Sequence, residues 1–166
     1  FWWHPEHEYA GRMVRFSVSG EAEKGARVRL WYGGDPATLE RSFEVLAPAL
    51  ELPARVAAAT TLELAVPVRN MSSVPWAATG AFPVTLSYRL LALGDGEASV
   101  FEGPRIALPA DLPSGDPVTL TLPITWPGTP GKYLLRLDLL IEDYAWFVDR
   151  RGESLAEAEI EVVGSL

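Results

Sequence analysis

The chain has 166 residues, of which 48% are apolar and 22% are charged. This length suits one domain of ordinary size, and the composition is that of a globular protein rather than a disordered chain. With 22 acidic and 14 basic residues the net charge is −8, which argues against a protein that tracks nucleic-acid phosphates. The absence of cysteine excludes disulfides, a thiolate nucleophile and a cysteine-based metal site. No run approaches the roughly 20 apolar residues of a membrane span, so none is predicted.

The first 47 residues are predicted to form a unit of their own. They contain three short strand patterns and one turn of helix, at residues 11–19, 26–32, 42–46 and 35–43. Three strands rarely close a core alone. We therefore expect residues 1–47 to pack on the rest of the chain or on a missing region, with a second unit at 48–166.

Five longer segments alternate between apolar and polar residues, which is typical of strands with one buried and one solvated face. They lie at residues 60–69, 82–91, 118–124, 133–141 and 156–162. No window of eleven residues carries a convincing helical stripe, so the chain is predicted to be all-β. Pro67 and Pro123 cannot donate a ladder hydrogen bond, which places them at a sheet edge or a bulge.

From about residue 50 onward, seven or so strands with turns every ~8–12 residues form the pattern of an immunoglobulin-like sandwich. The Gly131-Lys132-Tyr133 start of the longest strand resembles a tyrosine corner, in which the hydroxyl bonds nearby backbone. The chain also resembles the immunoglobulin-like accessory modules of bacterial glycosyltransferases and methyltransferases of envelope-polysaccharide pathways. The segments that carry this resemblance are 68–76, 84–89, 103–109, 131–142 and 146–147.

The predicted fold is an all-β, immunoglobulin/fibronectin-like antiparallel β-sandwich with an N-terminal β extension. The resemblance covers about two thirds of the chain and implies an extracytoplasmic accessory domain of a bacterial cell-envelope protein. A single Asn, no Gln and a strong preference for Arg over Lys suit a thermophile, and a GC-rich genome would give the same bias.

Aromatic residues follow the longest strand directly. If this segment is extended, Tyr144 and Trp146 share one face and Phe147 takes the other. An exposed ring beside charged side chains can stack on a sugar while the charges bond its hydroxyls. The alternative is that all three rings fill the end of the sandwich. The candidate binding residues are Asp143, Tyr144, Trp146, Asp149 and Arg150.

Other aromatic residues have structural and interface interpretations. Trp76 and Trp126 adjoin prolines in loops and are predicted to cap the open ends of the sandwich. The N-terminal Phe1, Trp2 and Trp3 are candidate interface residues. They form either an aromatic belt beside a removed membrane helix or a strand that packs on the sandwich.

The sequence contains little that indicates a catalytic or metal-binding site. His4 and His7 could contribute to a zinc site, but a solvated terminal segment is favoured, and no metal or cofactor is predicted. Neither a nucleophile elbow nor a phosphate loop occurs. Glu142 and Asp143 are the best carboxylate pair for a hydrolase, yet adjacent residues of a strand point to opposite faces. Asn70 opens a glycosylation sequon, a pattern that arises often by chance.

The sequence therefore predicts a non-catalytic module that binds a glycan or positions a partner, with no nucleic-acid role. The alternative is a structural subunit or extramembrane domain of a membrane-associated assembly, with its sandwich face and N-terminal aromatics as interface. A carboxylate-dependent hydrolase is a third alternative. Exposed aromatics in a cleft would favour the first function, and a flat apolar patch the second.

Overall fold

The structure is a computed structural model that describes residues 36–94 and 100–164. The predicted strands at 11–19 and 26–32 lie outside the described residues. So do the candidate interface residues Phe1, Trp2 and Trp3 and the histidines His4 and His7.

The described residues form ten strands and two single-turn helices. The five longest strands coincide with the five alternating segments to within two residues at every end, as the hydrophobic period predicts. In chain order the elements are α1 (Pro36–Leu39), β1 (Val45–Leu46), β2 (Arg55–Ala57), β3 (Thr61–Asn70), β4 (Val84–Leu93), β5 (Val100–Glu102), β6 (Ile106–Ala107), β7 (Pro117–Thr125), β8 (Gly131–Ile141), β9 (Ala145–Trp146), α2 (Val148–Arg151) and β10 (Ala156–Val163).

The strands belong to two sheets. The smaller has the order β1-β3-β7, and the larger has the order β2-β10-β8-β4-β5, with β6 also paired to β4 and β9 to β8. Among the described pairs all are antiparallel except β2 with β10, which is parallel. The chain is an all-β sandwich of the immunoglobulin-like type, as predicted.

The core lies between the two sheets and is built from the apolar stripes that the alternation predicts. Tyr88 of β4 also spans the gap between the sheets, since its hydroxyl accepts the amide of Thr125 of β7 at 3.0 Å. The largest aliphatic side chains that are fully buried are Leu86, Leu90, Leu122, Ile124, Leu135, Leu137, Leu139, Ile141 and Ile160.

The outer face of β4 and β8 differs from the prediction. The alternation indicates a solvated face there, but Thr85, Ser87 and Asp138 are only 5%, 0% and 1% exposed. After β8 the chain reverses in a turn at residues 142–144, where Asp143 has a φ of 58°. The following segment pairs with the end of β8 through β9 and then forms α2. The polar face is therefore covered by the chain that follows it.

Both prolines lie where a missing amide costs no ladder bond. Backbone nitrogens point alternately to the two edges of a strand, and that of Pro67 points to the same edge of β3 as the amide of Met71, which donates toward β1. Because β1 pairs only with residues 69 and 70, this edge is open at Pro67. The nitrogen of Pro123 points to the opposite edge of β7 from the amide of Trp126, which donates toward β3, so Pro123 faces the outer edge. The edge prediction is correct for both.

Aromatic residues close the ends of the sandwich as predicted. Trp76 and Trp126 are 1% and 2% exposed, and the indole N–H of Trp76 donates to the carbonyl of Ser42 at 2.8 Å. Tyr133 donates its hydroxyl proton to the carbonyl of Thr129 at 2.9 Å. That bond confirms the tyrosine corner.

Asn70 has a structural role. Its side-chain nitrogen donates to the carbonyls of Val74 and Leu112, each at 3.0 Å. Its side-chain oxygen accepts from the amide and hydroxyl of Ser72 at 2.9 and 2.6 Å. Because the residue is 0% exposed and fully hydrogen-bonded, the sequon is closed to modification in the folded chain.

Candidate functional site

Polar and charged side chains cluster on the outer face of the larger sheet. The pairing register sets them in rows across the strands. Trp146 lies beside Leu140, Asp138 lies beside Ser87, and Arg136 lies beside Arg89. We call the following residues the outer cluster: Thr85, Ser87, Arg89, Arg105, Asp138, Glu142 and Trp146.

Trp146 is partly exposed, and the guanidinium groups of two arginines lie over its ring. The guanidinium carbon of Arg89 is 4.4 Å from the centre of the indole, and that of Arg105 is 5.0 Å from it. Both distances lie within the range of a cation–π interaction, which is strongest for Trp. The ring is thus fixed on the sheet by contacts with two neighbouring elements.

Arg105, just before β6, is fully paired. Its Nη1 donates to the hydroxyl of Ser87 and its Nη2 to the carboxylate of Glu102, each at 3.0 Å. Its Nε lies 3.4 Å from Oε1 of Glu142, which also accepts the Thr85 hydroxyl at 2.6 Å. Arg105 therefore organises the polar side chains around Trp146.

Arg89 is the opposite case. It is half-buried in β4, yet its guanidinium makes no ion pair or hydrogen bond within the described part of the chain. Its neighbour in register on β8 is Arg136, whose Nε donates to the carboxylate of Glu157 on β10. Its neighbour on β5 is Glu102, which bonds Arg105 instead.

Asp138 is the most deeply buried charged residue of the outer cluster. Its Oδ2 accepts the amide of Val148 at 2.7 Å, whereas its buried Oδ1 has no partner. Nη1 of Arg151 is also buried and unpartnered. Burial raises the pKa of Asp138 to about 7, against the opposing effect of the Val148 and Leu139 amides and of the Arg151 and Arg89 charges. Asp138 is therefore partly protonated near neutral pH.

Tyr144 and Arg150 form a separate group beside α1. The Tyr144 hydroxyl donates to the carboxylate of Glu40, and the Arg150 guanidinium donates to the same carboxylate at 3.0–3.2 Å. Burial, together with the bond to Glu40, raises the pKa of Tyr144. The Tyr144 ring lies 6.0 Å from that of Phe43, which in turn packs against Phe147 at 5.0 Å.

This arrangement corrects the predicted grouping of the aromatic residues. The prediction placed Tyr144 and Trp146 on one face, which requires an extended segment. Because the chain turns at Asp143, Tyr144 instead packs on the Phe43 side with Phe147, and Trp146 alone reaches the outer face. Phe147, at 0% exposed, fills the sandwich end as the alternative interpretation held.

Of the five predicted binding residues, only Trp146 belongs to the outer cluster. Asp143 is exposed in the turn, and Asp149 is exposed in α2. The sequence reasoning missed Arg89 and Asp138 as members of a site, because the alternation assigned their strands a plain solvated face. It also missed Arg105, which lies outside the alternating segments. The available signal was a row of small polar and Arg positions on β4, a strand otherwise rich in Leu.

The two carboxylates of the predicted hydrolase pair lie in different surroundings. Glu142 bonds Thr85 and Arg105, whereas Asp143 lies exposed in the turn. Across residues 36–94 and 100–164 no three His, Asp or Glu side chains come together as metal ligands. Within the same ranges no helix is both long and apolar enough to cross a membrane.

Comparisons with known proteins yield structural likeness only. No family model and no curated protein matches the chain. Among solved structures, a β-glucosidase from Listeria innocua in complex with isofagomine has 15% identity and a TM-score of 0.51. The match covers 95% of this chain and 20% of the β-glucosidase chain. The same enzyme in complex with glucose has 14% identity and a TM-score of 0.50, covering 74% and 16%. The alkylpurine DNA glycosylase AlkC from Pseudomonas fluorescens has 16% identity and a TM-score of 0.46, covering 76% and 33%.

At these identities the β-glucosidase likenesses show the fold alone. The chain spans a third or less of the length of each of these proteins.

Proposed function

We propose that this chain is a non-catalytic, immunoglobulin-like accessory module of a larger bacterial cell-envelope protein, and that its outer cluster binds a glycan. The observation that carries the proposal is the partly exposed Trp146, with the guanidinium carbons of Arg89 and Arg105 at 4.4 and 5.0 Å from the centre of its ring. An extracytoplasmic location and a thermophilic source are parts of the prediction that rest on the sequence.

The chemistry of the outer cluster suits a saccharide. Sugar rings present apolar C–H faces that pack on aromatic rings, and their hydroxyls both donate and accept hydrogen bonds. The cluster offers an indole, guanidinium donors and the carboxylate of Glu142 within one patch. Trp146 and Arg89 stand on paired strands, and Arg105 and Glu142 are tied to each other and to neighbouring side chains. Their spacing is therefore fixed before a ligand arrives, which lowers the entropy cost of binding.

An accessory role is consistent with where this fold occurs. In the Listeria β-glucosidase the matching region makes up about a fifth of the chain, so a sandwich of this kind can serve as one part of a larger protein. The comparison supports only that use of the fold, and the ligand is argued from the outer cluster.

A glycan array tests the proposal. We expect the purified chain to bind a subset of saccharides and Trp146→Ala to lose that binding while its thermal unfolding stays cooperative. Phe101→Ala is the matched control, because Phe101 is 45% exposed on β5, outside the cluster, and should bind as the wild type does. A blank array for the wild-type chain would contradict the proposal.

A second candidate function, a protein-interaction module, is favoured by a different surface. Leu93 and Val100 are 41% and 52% exposed at the β4–β5 end of the larger sheet. Large apolar side chains grouped at a surface often mark a protein interface. A blank array would favour this candidate over glycan binding.

A further inference from the structure

Arg89 carries an unmet charge inside the outer cluster. We infer that the cluster recognises the carboxylate of an acidic glycan, with Arg89 as the group that binds the anion. The inference rests on the proposed glycan-binding function and specifies the class of saccharide. It is argued below from pairing, charge and geometry.

The first argument is that Arg89 lacks the partner that comparable arginines have. The other half-buried arginines of the described residues, Arg136 and Arg151, form ion pairs with Glu157 and Glu153 at 2.5 and 3.3 Å. Arg89 is half-buried and yet has none. A partly desolvated charge is stabilised by a counter-charge, so this position favours an anionic ligand.

The second argument is the identity of its neighbour. Arg89 and Arg136 are directly opposite in the β4–β8 pair, and like charges in such positions destabilise a sheet. Glu157 forms an ion pair with Arg136, whereas Arg89 forms none within the described residues and has the charge of Asp138 near it. A bound anion would remove this repulsion.

The third argument is the position of Arg89 over Trp146. Its guanidinium carbon lies 4.4 Å from the centre of the indole, and none of its N–H groups donates a hydrogen bond within the described residues. The N–H groups of a guanidinium lie in one plane and form a two-pronged donor. A carboxylate matches this fork with two parallel hydrogen bonds.

The surroundings select a single negative charge. Glu102 is the register neighbour of Arg89 on β5, and Glu142 and Glu157 belong to the same face. These carboxylates would repel a phosphate dianion more strongly than a monoanion. The geometry therefore points to a carboxylated sugar such as a uronic acid, rather than to one that carries a phosphate dianion.

The test uses matched saccharides that differ only in charge. Oligogalacturonate, its methyl ester and other acid–ester pairs are placed on the array with phosphorylated glycans, and affinities are then measured in solution for the wild type, Arg89→Met and Arg55→Met. Arg55 is the control, since it pairs with Glu161 on the β2–β10 edge and its loss changes the net charge equally.

We expect wild type and Arg55→Met to bind carboxylated saccharides, and Arg89→Met to bind them about 10- to 100-fold more weakly, as for the loss of charge-assisted hydrogen bonds. Binding of the methyl esters at equal affinity, or an unchanged Arg89→Met, would overturn the inference and leave glycan binding intact. A preference for phosphorylated glycans would overturn the carboxylate assignment. No binding at all would overturn the proposed function, and the inference with it.

Folding of the variant is checked independently. Arg89→Met removes one charge of a like-charged pair, so its midpoint of thermal unfolding should be equal to or above that of the wild type. Should it fail to fold, the salt dependence of the wild type decides: binding of the acid must weaken with added NaCl more than any binding of the ester. Equal salt dependence would overturn the inference.

Discussion

Asp138 shows how a single buried carboxyl couples the sheet to solution pH. Its Oδ2 holds the first amide of α2 while its Oδ1 is unpartnered. Burial outweighs the nearby positive charges of Arg151 and Arg89 and raises its pKa from 3.8 to about 7. The folded state therefore binds this proton more tightly than the unfolded chain does.

The free energy of unfolding should fall as pH rises from about 4 to 7, through the contribution of Asp138. The contribution of a raised pKa is present below 3.8 and is lost as pH rises through about 7, with a slope of at most about 1.4 kcal/mol per pH unit. Asp138→Asn cannot ionise and can still accept the Val148 amide. We expect it to match the wild type at pH 4 and to be more stable at pH 8.

Chemical unfolding of both chains at pH 4, 6 and 8 measures this difference. The other titrating groups are common to the two proteins, so their effects largely cancel in the comparison. A stability difference that does not change with pH would show that Asp138 is already ionised across the range.

At the scale of elements, the end of β5 approaches β4 too closely for a side chain. The amide of Gly103 donates to the carbonyl of Tyr88 at 2.9 Å, and a Cβ on Gly103 would overlap the Tyr88 ring. That ring cannot readily move, because its hydroxyl bonds Thr125 on the opposite sheet.

Gly103→Ala should lower the free energy of unfolding by about 1–3 kcal/mol, as overpacking of a core typically does. Gly128→Ala is the matched control, since a Cβ there meets no atom within 4 Å. Denaturant titration of both variants gives the comparison. Equal stability of the two would mean that β5 shifts away from β4 without cost.

The elements that could be predicted from sequence are those whose residues alternate over a long run. The stripe of β8 requires only local information, and so does the tyrosine corner at Tyr133. The coverage of Asp138 could not be foreseen, because it depends on a reversal at Asp143 and on two-residue strands too short for any periodicity. Arg89 and Trp146 meet only through the resulting contact between β9 and the outer face, which no spacing in the chain encodes.

At the scale of the whole molecule, one aromatic group unites distant parts of the chain. The Phe147 ring lies 5.0 Å from that of Phe43 and 5.5 Å from that of Trp76, both edge-on. Phe43 precedes β1, Trp76 precedes β4, and Phe147 lies between β9 and α2. Their packing closes one end of the sandwich over both sheets.

Phe147→Ala should destabilise the protein by about 3–5 kcal/mol, the usual cost of removing a buried Phe ring. Phe101→Ala deletes the same ring from a position 45% exposed and should cost much less. Thermal or denaturant unfolding distinguishes the two. Similar losses would mean that the aromatic group is not central to stability.

The two prolines of the smaller sheet have a consequence for aggregation. Exposed strand edges invite pairing with other chains, and natural sheets block this with residues that cannot donate. Pro67 and Pro123 interrupt the amide rows on opposite edges of the β3–β7 pair, so an incoming strand finds a broken template on either side. Growth of this sheet into fibrils or swapped dimers is thereby disfavoured. Contacts made by the folded protein are directed instead to its faces and to the edges of the larger sheet.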